Sequence, residues 1–180
     1  MKLYISHQSA LEYWRRHRKL PVDSAARRCR DTLPNRPFII EPPVLNEFEV
    51  PINIMIANSD SRRISKMVKQ HIFGGETPVG CFMNMGSGLM VSSPEFCFLQ
   101  MANQLVFAKL IELGYEICGV YSQPLADDAS VPYRGFYNRR PLTNIKKLKT
   151  FLDSMHGAKG YKKAAQALSY LCSRRKRVLA

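Results

Sequence analysis

The stretch SSPEFCFLQMANQLVFAKLIELGYEICGVY, residues 92–121, decides how the chain is read. Ser93 suits a helix cap, Pro94 is preset for the first helical position, and Glu95 puts negative charge where the helix dipole favours it. The pattern predicts a helix from Pro94 to Leu113, ended by Gly114, with Ala102 as the place where it would break. Phe96, Phe98, Leu99, Ala102, Leu105, Val106, Ala108, Leu110 and Ile111 cover more than one stripe, so this helix is expected to pack on several sides as the core element. A short segment carrying Ile117, Cys118 and Val120 should follow.

Upstream of it, VPINIMIA (50–57) reads as a strand whose Ile52, Ile54 and Ile56 alternate onto one face, ended by Asn58, Ser59 and Asp60. RISKMVKQHIF (63–73) fits both a helix and a strand, and its β-branched content tips it to a strand. VGCFMN (79–84) and LMVS (89–92), joined through Gly86, Ser87 and Gly88, read as a hairpin. These segments predict about four strands. Near the start, Ser6 caps a helix over about residues 7–18, with Leu11 and Trp14 at helical spacing; a short helix around 23–30 and a proline-rich connection over 31–44 follow. Downstream, residues 122–142 read as a long surface loop. Thr143 should cap an amphipathic helix over about 144–155, with Ile145, Leu148, Phe151 and Leu152 on one face, and a last helix covers 161–173. The resulting fold class is α+β, a small mixed or antiparallel sheet packed with helices and flanked by helical basic ends. Its segments are a basic helical start (1–33), an α+β core (34–138) and a basic helical end (139–180).

Charge follows those divisions. The chain has 180 residues and a net charge of +13. Residues 1–30 hold 8 basic and 2 acidic side chains, residues 31–138 hold 7 and 11, and residues 139–180 hold 12 and 1. Two basic ends around a mildly acidic middle suit a polyanion, and nucleic acid is the first such partner. Arg15, Arg16, Arg18, Lys146, Lys147, Arg174, Arg175, Lys176 and Arg177 are the candidate phosphate contacts. Cations in the last turn of the first helix also complement its dipole, which explains that cluster without any ligand. Arg174 to Arg177 crowd a helix end and should fray by mutual repulsion. A competing reading is a protein-interaction module, in which the 94–113 helix and the long loop meet a partner and Tyr133, Phe136 and Tyr137 anchor it.

Several chemistries find no pattern. His7, His17, His71 and His156 lie in separate segments without chelating spacing, and the five cysteines include no Cys-x-x-Cys pair, so neither a metal site nor a cofactor is expected. Ser6 beside His7 fits a helix cap better than a nucleophile and its base. Asp127 and Asp128 fit a solvated turn. No lysine has Asp or Glu two positions before it, so the acidic-x-Lys element of metal-dependent nucleases is missing. No apolar run reaches a membrane span and no secretory signal opens the chain, which points to a cytoplasmic protein.

ISHQSALEYWR, PINIMIA, MVKQH, GLMVSSPEFCFLQMA and ELGYEICGVY followed by PLT resemble, in the same order, bacterial proteins related to the antitoxins of type IV abortive-infection toxin–antitoxin pairs and endonuclease-like proteins of similar layout. The resemblance spans residues 4 to about 172. In that family a segment like VSSPE precedes an apolar helix, usually with an acidic residue where Gln100 stands here, and a carboxy-terminal nuclease-like domain follows. No catalytic residue carries over, and the expected chain is the front part of such a protein. The resemblance implies a role in phage defence or toxin–antitoxin regulation, with DNA, a toxin or a separate nuclease-like protein as partner.

Overall fold

The computed structural model describes residues 2–17, 33–34, 48–61, 66–74, 77–120 and 139–177, with the backbone alone at 61 and 173–177. It has an α+β fold with a mixed five-stranded sheet. The chain divides into two compact units, Met1–Tyr13 with Pro21–Ser93 and Trp14–Leu20 with Pro94–Ala180. The expected helix at 23–30, most of the 31–44 connection, and residues 121–138 of the long loop lie outside the described residues.

The first unit holds the sheet, in the order β3-β2-β1-β5-β4. Its strands are β1 (Leu3–Ile5), β2 (Ile52–Ile56), β3 (Val68–Ile72), β4 (Phe82–Asn84) and β5 (Leu89–Ser92). β1 is a fifth strand that the sequence reading lacked: three residues are too few to show alternation, yet they form the central strand. It runs parallel to β5, with Tyr4 opposite Met90, and antiparallel to β2, with Ile5 opposite Ile54. Ile52, Ile54 and Ile56 share one face as expected, and the other face of β2, with Asn53 and Met55, is buried as well. The ambiguous segment is a strand over Val68–Ile72, parallel to β2. The β4–β5 hairpin forms as expected, and Gly86, Ser87 and Gly88 all have positive φ (94°, 49° and 79°), a run that two glycines make tolerable.

Helix α1 (His7–His17) follows β1 directly and gives its residues through Tyr13 to this unit. Ala10 donates its backbone N–H to the Ser6 carbonyl at 3.2 Å, closing the first turn.

The second unit is helical: α2 (Pro94–Met101), α3 (Phe107–Cys118), α4 (Ile145–Asp153) and α5 (Tyr161–Arg177), with residues Trp14–His17 of α1. α2 starts at Pro94 as expected and is buried at every position but Glu95. Its side chains form the core. The single long helix divides at Ala102–Val106, where Val106 turns extended (ψ 156°) before α3. Gly114 does not end α3 but lies inside it. A Cβ at that position would stand 2.5 Å from Leu171 Cδ1, so the glycine lets α5 approach closely. The helix continues through Ile117 to Cys118, and the backbone N–H groups of Leu142 and Thr143 donate to the Ile117 carbonyl at 2.9 and 3.0 Å. The cap of α4 is Asn144, whose side chain accepts from Lys147 N, and not Thr143, whose hydroxyl donates to the Glu95 carboxylate instead. α5 extends four residues beyond the expected end at 173, as helix to Arg177.

Candidate functional site

The candidate basic interface belongs to the second unit, and its best-defined part is α4. Leu148 and Leu152 face inward and are buried, which turns Lys146, Lys147 and Lys149 outward, all exposed. The amphipathic spacing of the sequence thus fixes both sides of the helix at once. Lys162 is exposed in the first turn of α5, and Lys159 two residues before it. Arg16, in the last turn of α1, is exposed as well. The helix backbone carries Arg174, Arg175, Lys176 and Arg177 in one further turn of α5. Arg18, Tyr133, Phe136 and Tyr137 lie outside the described residues.

Arg15 has a different task. Its Nε donates to Glu116 Oε1 at 3.0 Å and its Nη2 to Oε2 at 2.8 Å, a two-pronged pair with side-chain exposures of 16% and 2%. The planar guanidinium matches the carboxylate oxygens geometrically, which is why an arginine rather than a lysine suits this buried position. Arg139 Nη1 reaches the Arg15 carbonyl at 3.4 Å. A guanidinium committed in this way is withdrawn from phosphate binding, and Arg15 leaves the list of interface residues. One residue along, Arg16 points outward.

The first unit holds a polar cluster that the sequence reading did not assemble. His7 and His71 stack with ring centroids 3.6 Å apart and planes 19° from parallel. Ser6 Oγ meets His7 Nδ1 at 3.0 Å, and His71 Nε2 meets Asn53 Oδ1 at 2.9 Å. Ser9 Oγ accepts from Asn53 N at 2.9 Å and from Asn53 Nδ2 at 3.3 Å. The β2–β3 register explains the meeting: Met55 lies opposite His71 and Asn53 opposite Lys69, so Asn53 and His71 share a face. That register is a tertiary fact. The Ser6–His7 pair was visible in sequence; the other half, His71 and Asn53, was not.

His7 has φ of +49°, uncommon for a residue with a Cβ, and is buried. Burial, with His71 and Lys69 nearby, pushes its pKa down to about 3, so the ring is neutral at physiological pH. Stacked rings direct their in-plane nitrogen lone pairs side by side rather than toward one point, which does not suit joint metal ligation. Among the described residues no group of three or more His, Cys, Asp or Glu side chains converges on a metal position. Ser6 is fully buried, so a substrate cannot reach its hydroxyl. The cluster is therefore a clamp that ties α1, β2 and β3 together.

Three of the described thiols are equally passive. Burial raises the Cys81, Cys97 and Cys118 thiols to about 12, far from the thiolate that nucleophilic chemistry requires. No described helix is long and apolar enough to cross a membrane. Comparison with protein-family models, curated proteins and solved structures finds no match to this chain.

Proposed function

We propose that this chain is a non-enzymatic DNA-binding module of a bacterial, cytoplasmic defence or toxin–antitoxin related protein, serving regulation or targeting. The observation that carries the reading is the charge of its last 42 residues, 12 basic against 1 acidic, together with the outward display of Lys146 and Lys147 on α4. Those lysines, Arg16 and the run from Arg174 to Arg177 make contacts to phosphates. Each neutralised phosphate releases condensed counterions, so affinity falls steeply with salt. Such contacts position the protein on the duplex and carry no sequence information by themselves.

The non-enzymatic part of this reading is consistent with the burial of Ser6 and His7 and of the Cys81 and Cys97 thiols. Kinship with the antitoxins of type IV abortive-infection pairs rests on the ordered sequence segments. The test is an anisotropy titration of labelled duplex DNA with the wild type and a Lys146→Glu, Lys147→Glu double variant. Tight binding at low salt that the variant weakens at least tenfold is expected. Equal binding by both proteins removes α4 from the interface, and absence of binding at low salt overturns the reading.

A further inference from the structure

α4 and α5 enclose an open groove of about 450 Å³ within the second unit. Leu152, Ala165 and Leu168 give it an apolar floor, and Lys149, Asp153 and Tyr161 stand among its walls. Nothing in the DNA reading uses this feature. Phosphates reward lysines but gain nothing from leucine and alanine side chains, whereas an amphipathic helix places apolar residues at every third or fourth position into such a groove.

The charge around the groove selects the kind of helix. Asp153 is the sole acidic residue among residues 139–180, against 12 basic ones. Lys146 and Lys147 on α4, and Lys162 in the first turn of α5, are exposed on the elements that form it, as is Lys159 two residues before α5. A basic partner helix would meet like charge from these exposed lysines, while an acidic one meets complementary charge from them and from Lys149 in the lining. We propose that the α4–α5 groove docks one acidic amphipathic α-helix of a partner protein, apolar on the face that enters the groove.

The experiment uses the full chain and a labelled peptide of roughly 18 residues, about five helical turns, with leucine at positions i, i+3, i+4 and i+7 of the repeat and glutamate and alanine elsewhere. Two control peptides accompany it, one with the same composition in scrambled order and one with lysine in place of glutamate. The wild type is expected to bind the acidic amphipathic peptide at least tenfold tighter than either control. Ala165→Arg, which fills the floor, is expected to reduce that binding at least tenfold while leaving duplex DNA binding unchanged. Lys149→Glu, at an exposed position that the fold does not need, is expected to weaken the acidic peptide and to improve the lysine peptide. Equal binding of the scrambled peptide overturns the proposal, as does Lys149→Glu binding both peptides like the wild type. Binding of duplex DNA with no binding of the acidic peptide leaves the nucleic-acid reading standing and overturns this one.

Discussion

Around the sheet, Ser6, His7, Ser9, Asn53 and His71 form a clamp joined by hydrogen bonds and a ring stack, in which buried His7 is neutral. Among the helices, the buried carboxylate of Glu116 is held by the Arg15 guanidinium. The two solutions carry different liabilities. A neutral network loses little when salt changes but resists protonation, because a buried imidazolium lacks compensation. A buried ion pair tolerates acid until its carboxylate is protonated, yet it leaves an uncompensated charge if one partner is removed. The comparison also separates two settings for cations: Arg15 is paired with a buried carboxylate, and its neighbour Arg16 is exposed.

The largest effect expected from breaking this contrast is at the ion pair. Arg15→Ala removes the two-pronged guanidinium from buried Glu116 and should cost about 3–5 kcal/mol, measured by urea unfolding. Arg16→Ala, one residue along and exposed, should stay within about 0.5 kcal/mol. Similar losses from both variants would show that the Arg15–Glu116 pair does not carry the weight given to it.

Acid should act on the other unit. His7 has a folded pKa of about 3, below the ordinary 6.5, so between these values the unfolded chain binds a proton that the folded chain refuses. Its contribution to stability is complete above about pH 6.5 and is lost as pH falls toward 3, with a limiting slope of about 1.4 kcal/mol per pH unit. His7→Asn removes the titration while keeping a residue that tolerates positive φ. Unfolding free energies measured from pH 7 to pH 4 should fall less steeply in this variant than in the wild type, and parallel curves would refute the clamp's role in acid sensitivity.

A smaller effect is expected at Gly160, where φ is +89° and a Cβ would lie 3.0 Å from the Leu99 carbonyl and 2.8 Å from Asn103 Nδ2. Gly160→Ala should cost about 1–2 kcal/mol, read as a lowered urea midpoint, without altering the acid response of His7. Smallest of all should be the stability change on deleting residues 174–180. No described core side chain belongs to that segment, and thermal unfolding should move by no more than about 0.5 kcal/mol in free energy. A large loss would make the tail part of the core.

What the sequence made legible was local. Ser93, Pro94 and Glu95 fixed the start of α2, and the Gly86–Gly88 turn fixed the hairpin, because capping and turn chemistry depend on a few adjacent residues. Gly114 shows the limit: glycine marks a helix end by its own conformational freedom, but here it is used for the space it leaves to Leu171. Asn144 and Thr143 show another, since both are good caps and only the distant Glu95 decides which one turns away. β1 was too short for periodicity. The imidazole stack required knowing that β3 lies parallel to β2, and the Arg15–Glu116 pair joins residues 101 positions apart. The candidate basic surface was the most legible part of the site, because exposed lysines on an amphipathic helix follow from the buried ones.

The most direct test of the central claim is the salt dependence of duplex DNA binding, measured between about 50 and 200 mM salt for the wild type and for the chain ended at Ser173. Log affinity of the wild type should fall linearly with log salt. Deleting the tail removes four cations and should flatten that slope by up to about 3 to 4 units, at roughly 0.9 per lost phosphate contact, and weaken binding almost uniformly across sequences. Wild-type binding that is indifferent to salt, or a slope unchanged by the deletion, would contradict an interface built from phosphate contacts at the carboxy-terminal end.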